Sequence, residues 1–192
     1  YGALSSNILI SPRVANQVIG LGLLEAIKSE DIIANADDFD RNNDNISGRV
    51  HFVTDEATGN LAIGRFGWKA GQPSVKQQSA AAFRGDLGIT SSLFPEDNCA
   101  PNQQACQDAH NGNNAQGYEL DSLVLERVTL YVSSLAVPAR RNYKEEQVRL
   151  GKTLFFNTGC NTCHVASYRT GIHPEIDALS NQKIYPYTDL LL

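Results

Sequence analysis

The sequence predicts a mainly α-helical fold with long loops and one small β-hairpin. Apolar residues recur at helical spacing in several segments, most clearly between residues 119 and 135. Stretches rich in Gly, Asn and Asp separate these segments and indicate loops. Two short apolar runs on either side of a Thr58-Gly59-Asn60 turn predict the hairpin.

The first predicted helix covers residues 11–24. Ser11 and Pro12 are the residue types preferred at an N-cap and at the first helical position. Gly20 and Gly22 lower the helix propensity of this segment, but they would let another backbone or a flat ligand approach closely.

Four further elements are expected before residue 85. They are a short helix at 29–33, hairpin strands at 51–53 and 61–63, and a helix from Pro73 to about Phe83. The glycine-rich segment 64–71, which contains the only tryptophan, indicates a shaped loop. Residues 85–117 are expected to be mostly loop.

Two helices are predicted in the second half of the chain. The first covers residues 119–135, with a stripe formed by Leu120, Leu123, Val124, Val128, Tyr131 and Leu135. Residues 140–142 are expected to link it to a second helix at 143–156, capped by Asn142. Glu145 and Glu146 in its first turn suit the helix dipole.

A Cys-x-x-Cys-His motif at residues 160–164 carries the predicted chemistry. In c-type haem attachment two cysteine sulfurs add to the porphyrin vinyl groups, and the following histidine binds the iron. Cys160 and Cys163 would therefore attach haem c, with His164 as proximal ligand. The alternatives are a thioredoxin-like pair, which needs no adjacent histidine, and half of a zinc site, which needs two more ligands. A helix ending in a glycine turn before the motif is typical of the cytochrome c fold.

Composition excludes several classes of function. The chain has 192 residues and a net charge of −5, and its 16 basic residues are scattered, so we expect no nucleic-acid partner. No apolar run approaches the roughly 20 residues that a membrane-spanning helix needs.

Because methionine and a signal peptide are both absent, we expect a piece of a longer protein. We expect that protein to be exported, because c-type haem is attached outside the bacterial cytoplasm.

The other two cysteines, Cys99 and Cys106, are separated by six residues. This spacing suits a small disulfide loop better than common metal sites, and closing the loop would stabilise the fold by roughly 2.5 kcal/mol. A disulfide would agree with an oxidising compartment such as the periplasm or the extracellular space. Two free buried thiols are the alternative.

A polar loop at residues 36–48 is a candidate calcium site. Its candidate oxygen ligands are Asp38, Asp40, Asn42 and Asp44. The match to an EF-hand is imperfect, because Asn45 replaces the usual glycine and His51 replaces the usual glutamate. A solvated acidic turn is the alternative.

Several separate blocks of sequence resemble the bacterial di-haem oxidoreductase family, sometimes called thiol oxidoreductase-like proteins or di-haem peroxidases. These blocks are residues 11–14 and 20–27, 46–49, 64–71 with 77–86, 135–138 and 186–192. The resemblance implies two cytochrome c-like domains, each with its own haem. The family's earlier Cys-x-x-Cys-His and its segment after residue 192 are absent from this sequence. Residues 1–141 would then be the later part of a first domain, and residues 142–192 the N-terminal part of a second.

The resemblance also suggests roles for individual residues. In related di-haem peroxidases an aromatic residue between the haems relays electrons, which makes Trp68 a candidate, with core packing as the alternative. Arg65, Lys69 and Arg49 are candidates to pair with haem propionates, with surface pairing as the alternative.

The sixth iron ligand stays open at this point. The chain has no methionine, and its candidates are His173, His51, His110, Tyr185 and Tyr187. We expect the ligand to lie beyond the C-terminal residue, with an open iron position as the alternative. An open position can bind peroxide, and a peroxidase would also need a polar group for proton transfer.

Taken together, these features predict an exported c-type cytochrome that transfers electrons through covalent haem c. We expect an oxidoreductase, with peroxidase chemistry implied by the resemblance. Its partner would be a redox protein or a small-molecule electron donor or acceptor. The rival hypothesis is a haem-bearing binding or assembly module whose disulfide and calcium loops present a surface to a partner.

Overall fold

The computed structural model describes residues 7–192, which form six α-helices, two small antiparallel sheets and long loops. The helices are α1 (Leu21–Glu25), α2 (Ser29–Ile33), α3 (Val75–Ala82), α4 (Gln104–Gln107), α5 (Ser122–Ser134) and α6 (Glu146–Asn157). A π-helical turn at Phe83–Leu87 extends α3. The prediction of a mainly helical chain with a small hairpin is confirmed.

The first sheet is the predicted hairpin, and the second was not predicted. The strands are β1 (Phe52–Thr54), β2 (Leu61–Ile63), β3 (Tyr168–Arg169) and β4 (Lys183–Ile184). Strand β1 pairs with β2, and β3 pairs with β4, both antiparallel. A strand of two residues is too short to show the alternating pattern on which strand prediction depends.

The prediction that the first helix begins near Ser11 is wrong, because α1 begins at Leu21. Gly20, just before it, has a φ of 74°, a left-handed conformation that ends any helix arriving from the N-terminal side. Val14 and Val18 are exposed. Without a packed apolar face, the local signals at Ser11 and Pro12 do not produce a helix.

Gly22 is where α1 meets α5. A Cβ atom at this position would collide with the carbonyl oxygen of Ser133 in α5. Only a glycine allows the two helices to approach this closely. The expectation that a glycine here admits another backbone is therefore confirmed.

The buried face of α5 differs from the predicted stripe. Leu125 is fully buried and Ser133 is 4% exposed, whereas Leu123 and Tyr131 are 54% and 65% exposed. Helix α5 packs on α1 and α3 through its Leu125 face. Both faces carry apolar residues, so spacing alone does not identify the one that packs.

Helix α6 also begins later than predicted. It starts at Glu146, and the expected cap, Asn142, lies outside the helix with a left-handed φ of 52°. None of the residues in α6 is buried. This helix therefore contributes little to the core of the described chain.

The hydrophobic core joins early and late parts of the chain. Its buried residues are Ile27, Ile32, Ile63, Tyr168 and Leu190. They lie on both sides of residue 141, so both predicted domain portions contribute to one core, although residues 1–6 of the first portion lie outside the described range. The division at residue 141 stays a prediction.

Tyr168 combines this packing with a polar contact. The amide nitrogen of Asn35 donates a hydrogen bond to the Tyr168 hydroxyl at 2.7 Å. Burial, helped by the negative charges of Asp189 and Asp31, raises the pKa of Tyr168 to about 12, although the bond from Asn35 acts in the opposite direction. The hydroxyl therefore stays neutral in the core at any ordinary pH.

Backbone hydrogen bonds also join the early and late parts of the chain. Arg49 and Leu192 exchange two backbone hydrogen bonds of 2.9 Å each, which fixes the last residue of the chain to the segment before β1. The amide of Gly171 donates to the carbonyl of Ala26 at 2.7 Å. Both contacts hold the C-terminal segment to the rest of the fold.

The observed face of α5 gives a direct test by matched truncation. Leu125→Ala should lower the free energy of unfolding by about 2–5 kcal/mol, because it leaves a cavity in a packed site. Leu123→Ala, the same change on the same helix at an exposed position, should cost less than about 1 kcal/mol. Urea unfolding of both variants measures the difference, and equal losses would contradict the observed orientation of α5.

Candidate functional site

The Cys-x-x-Cys-His motif lies on a tight turn directly after α6. Gly159 follows the helix with a φ of 79°, and a 3-10 turn at Cys160–Thr162 comes next. The amide of His164 donates to the carbonyl of Cys160 at 3.0 Å and closes the turn. The left-handed glycine ends α6 and brings both thiols and the imidazole onto one short segment.

Both thiols of the motif are free and exposed. The Cys160 sulfur lies 3.3 Å from the Thr158 hydroxyl. Such thiols are accessible for covalent attachment.

One backbone contact fixes the imidazole of His164. Its Nδ1 atom lies 2.9 Å from the carbonyl oxygen of Tyr187. Because a carbonyl oxygen only accepts hydrogen bonds, Nδ1 must carry the proton. The Nε2 atom then holds the free lone pair, which is the arrangement found in metal-binding histidines. Sequence reasoning named Tyr187 only as a candidate iron ligand and missed this role of its backbone.

Aromatic packing surrounds this contact. The rings of Phe155 and Tyr187 meet edge to face, with centroids 5.2 Å apart. The Phe155 ring also lies 6.4 Å from the imidazole of His164. Phe155 therefore joins the end of α6 to both partners of the hydrogen bond.

Tyr187 itself has an unusual backbone. Its φ is 53°, in the left-handed region that costs free energy for a residue with a Cβ atom. Leu190 has a φ of 60°, and its side chain is buried in the core. The packing of Leu190 and the pairing of Leu192 with Arg49 hold this segment in place, and so hold the carbonyl against His164.

The other histidines differ in their surroundings. His173 is 6% exposed, and its Nδ1 atom accepts hydrogen bonds from the backbone amides of Glu175 and Ile176. Its Nε2 atom lies 3.9 Å from a carboxylate oxygen of Glu25. His173 is thus enclosed by its own fold, which makes it a poor candidate for an iron ligand.

Neither His51 nor His110 is buried as His173 is. The Nδ1 atom of His51 contacts the carbonyl of Lys69 at 2.8 Å, and His110 is exposed. The identity of the sixth ligand, Tyr185 and Tyr187 included, stays a prediction.

Trp68 is not a core residue. Its side chain is 55% exposed, and the guanidinium of Arg13 lies 5.5 Å from the ring centroid. The alternative of plain core packing is therefore wrong. The role of electron relay stays a prediction.

The guanidinium of Arg65 is hydrogen-bonded within the fold. Its guanidinium donates to the carbonyls of Leu24 and Ile27, and also to the hydroxyl of Ser29. Burial lowers the pKa of Arg65, and the nearby charge of Glu25 partly offsets this effect. These contacts explain its position without a propionate, whereas Lys69 and Arg49 are exposed.

The expected disulfide is present, since Cys99 and Cys106 are bonded with their Cα atoms 5.7 Å apart. It closes a short loop whose second cysteine lies in α4.

The candidate calcium loop is organised by its own backbone. The carboxylate of Asp40 accepts hydrogen bonds from the amides of Asp44 and Asn45. Asp44 in turn accepts from the amide of Ile46 and from the side chain of Asn42. Within residues 7–192 no three His, Cys, Asp or Glu side chains are placed to hold a metal ion. Calcium at this loop, Asp38 included, stays a prediction.

Comparison with known proteins identifies the family. The sequence model of the family described as "di-haem oxidoreductase, putative peroxidase" matches residues 3–192, almost the whole chain. The chain belongs to this di-haem oxidoreductase family. Neither the curated proteins nor the solved structures contain a significant match to it.

Across the described range 7–192, no helix combines the length and the apolarity needed to cross a bilayer.

The turn that carries the motif can be tested with two glycines that differ in conformation. Gly159→Ala should destabilise the fold by about 1 kcal/mol or more, because alanine is strained at a positive φ. Gly151→Ala lies inside α6 and should instead stabilise it by up to about 1 kcal/mol. A Cβ atom meets nothing within 4 Å at either position, so the opposite signs would reflect backbone conformation alone. Urea unfolding measures both, and effects of the same sign would contradict the assigned turn.

Proposed function

We propose that Cys160 and Cys163 attach haem c through thioether bonds and that Nε2 of His164 binds its iron. The observation that carries this proposal is the hydrogen bond from His164 Nδ1 to the carbonyl of Tyr187, which leaves Nε2 free to bind a metal. The two thiols next to it are free and exposed. Membership of a di-haem oxidoreductase family supplies the expected cofactor.

The geometry of the motif fits haem better than a zinc ion. A zinc site needs its ligands to converge on one point. The side chains of Cys160, Cys163 and His164 do not converge in this way in the described chain. Haem attachment instead needs the two thiols to reach separate vinyl groups, with the imidazole beneath the iron.

Three residues of the site, His164, Tyr187 and Phe155, would each affect a bound haem. When bound, haem c supplies one-electron chemistry at its iron. His164 offers the proximal lone pair, and the Tyr187 carbonyl holds the ring in one tautomer and raises its basicity. Phe155 packs against both and limits rotation of the imidazole. A more basic proximal ligand favours the ferric state, so the carbonyl of Tyr187 would lower the reduction potential.

The function we infer is electron transfer by an oxidoreductase. Peroxidase activity, two cytochrome c-like domains and a second haem are finer proposals that rest on family membership, and the chain itself carries one attachment motif. Export to the periplasm or beyond belongs to the same proposal, and the disulfide agrees with an oxidising compartment. The electron partner would be a redox protein or a small molecule.

The role of His164 can be tested in the full-length protein, matured with haem. In His164→Gly the haem should stay attached through the two cysteines while the iron loses its protein ligand. The visible spectrum of the reduced protein should therefore change, and added imidazole should restore it. Asn102→Gly, a truncation at an exposed position that is not a candidate iron ligand, should leave the spectrum unchanged. A wild-type spectrum from His164→Gly would refute the assignment of the ligand.

The same haem-loaded protein also tests the finer proposal of peroxidase activity. If the protein is a peroxidase, hydrogen peroxide should oxidise the dithionite-reduced wild type faster than it oxidises free haem. A rate no greater than that of free haem would reject peroxidase activity and leave electron transfer.

A further inference from the structure

The imidazole of His173 orders a turn in the loop between β3 and β4. Its Nδ1 atom accepts hydrogen bonds from the backbone amides of Glu175 and Ile176, at 3.2 and 3.1 Å. The amide of His173 donates in turn to the hydroxyl of Ser180 at 2.8 Å. One buried residue therefore holds this loop through both its side chain and its backbone.

These contacts determine which nitrogen of the ring carries the proton. Because Nδ1 of His173 accepts from two amides, it has no proton of its own, and the proton of the neutral ring must lie on Nε2. This Nε2 atom is buried and has no hydrogen-bond partner among residues 7–192, while a carboxylate oxygen of Glu25 lies 3.9 Å away. A further proton can therefore be added only at Nδ1.

The carboxylate of Glu25 connects this turn to the first half of the chain. Glu25 is the last residue of α1, and its Oε2 atom faces the imidazole of His173. Its Oε1 atom accepts a hydrogen bond at 2.8 Å from the amide of Val75, the first residue of α3. The loop that contains His173 thus meets α1 and the start of α3 at one carboxylate.

The other charged side chains around this contact have partners elsewhere or face water. Arg65 interacts with the charge of Glu25 and donates to the carbonyls of Leu24 and Ile27. The exposed charged residues of the neighbouring segments are Lys28, its ion-pair partner Glu30, Glu175 and Asp177. The charge that faces the imidazole inside the fold is therefore that of Glu25.

We propose that His173 is an acid-sensitive switch, which keeps the turn at residues 173–176 closed while its imidazole is neutral. Histidine changes its charge between about pH 5 and pH 8. In acid the added proton goes to Nδ1, which then cannot accept hydrogen bonds from the amides of Glu175 and Ile176. The turn opens, and the charged ring stays beside the carboxylate of Glu25. This switch does not depend on the proposed haem site, so the two can fail independently.

Amide hydrogen exchange in the full-length, haem-loaded protein tests this proposal. It is measured at about pH 7.5 and about pH 5, on either side of the histidine range, and corrected for the intrinsic exchange rate. The amides of Glu175 and Ile176 should be protected at the higher pH and should lose this protection roughly tenfold at the lower pH. The amide of Ile89, which donates to the carbonyl of Phe83 elsewhere in the fold, should stay protected.

A matched variant separates titration from structure. In His173→Asn the side-chain oxygen can replace Nδ1 as the acceptor, but it does not titrate. The amides of Glu175 and Ile176 should therefore stay protected at both pH values. The nitrogen chemical shifts of the wild-type imidazole provide a second measurement, which needs no variant. They should show a proton on Nε2 and none on Nδ1 at about pH 7.5.

Three results would overturn the proposal. The first is protection of the two amides that does not fall with pH, or that is absent at both pH values. The second is an equal acid-induced loss in His173→Asn or at Ile89, because another group or global unfolding would then be the cause. The third is a wild-type imidazole that carries its proton on Nδ1 at the higher pH.

Discussion

The packing of Ile27 and Ile32 against Tyr168 and Leu190 is the constraint on which the rest of the structure depends. It joins the first helices to the end of the chain, across more than a hundred residues of sequence. The paired backbone hydrogen bonds between Arg49 and Leu192 extend this union. Because of it, the C-terminal segment cannot move away from the core without exposing buried apolar surface.

This constraint reaches the candidate site through Tyr187. Leu190 anchors the segment in the core, and Tyr187 three residues earlier adopts a left-handed backbone that presents its carbonyl to His164. Strained backbone persists where the surrounding structure determines it, and it is often associated with function. Helix α6, which directly precedes the motif, has no buried residue and cannot supply this order alone. The orientation of the imidazole therefore depends on the core, through the carbonyl of Tyr187, as well as on the packing of Phe155 from α6.

The sequence predicts a chemistry for the site, but it does not reveal the contacts that hold the site in place. The spacing of Cys160, Cys163 and His164 is a local pattern tied to one reaction, so it can be recognised without a structure. The carbonyl of Tyr187 carries no such pattern, because any residue at that position has a carbonyl. Its role follows from a contact between positions 23 residues apart, which only the fold creates.

The same difference between local sequence patterns and long-range contacts explains which parts of the fold the sequence predicted. The hairpin was predicted because its turn and its apolar runs are adjacent in sequence. The segment before Gly20 was expected to be helical from residue types alone, and the structure leaves it outside the helix for lack of a packing partner. The packed face of α5 depends on the close approach at Gly22, which the apolar spacing of α5 does not encode.

We propose that this chain carries haem covalently at Cys160 and Cys163. Tryptic digestion of the matured full-length protein, followed by mass spectrometry, tests it most directly, since cleavage after Lys152 and Arg169 releases residues 153–169 with both cysteines of the motif. This peptide should carry the added mass of one haem and absorb visible light. A colourless peptide with the mass of its amino acids alone would contradict it.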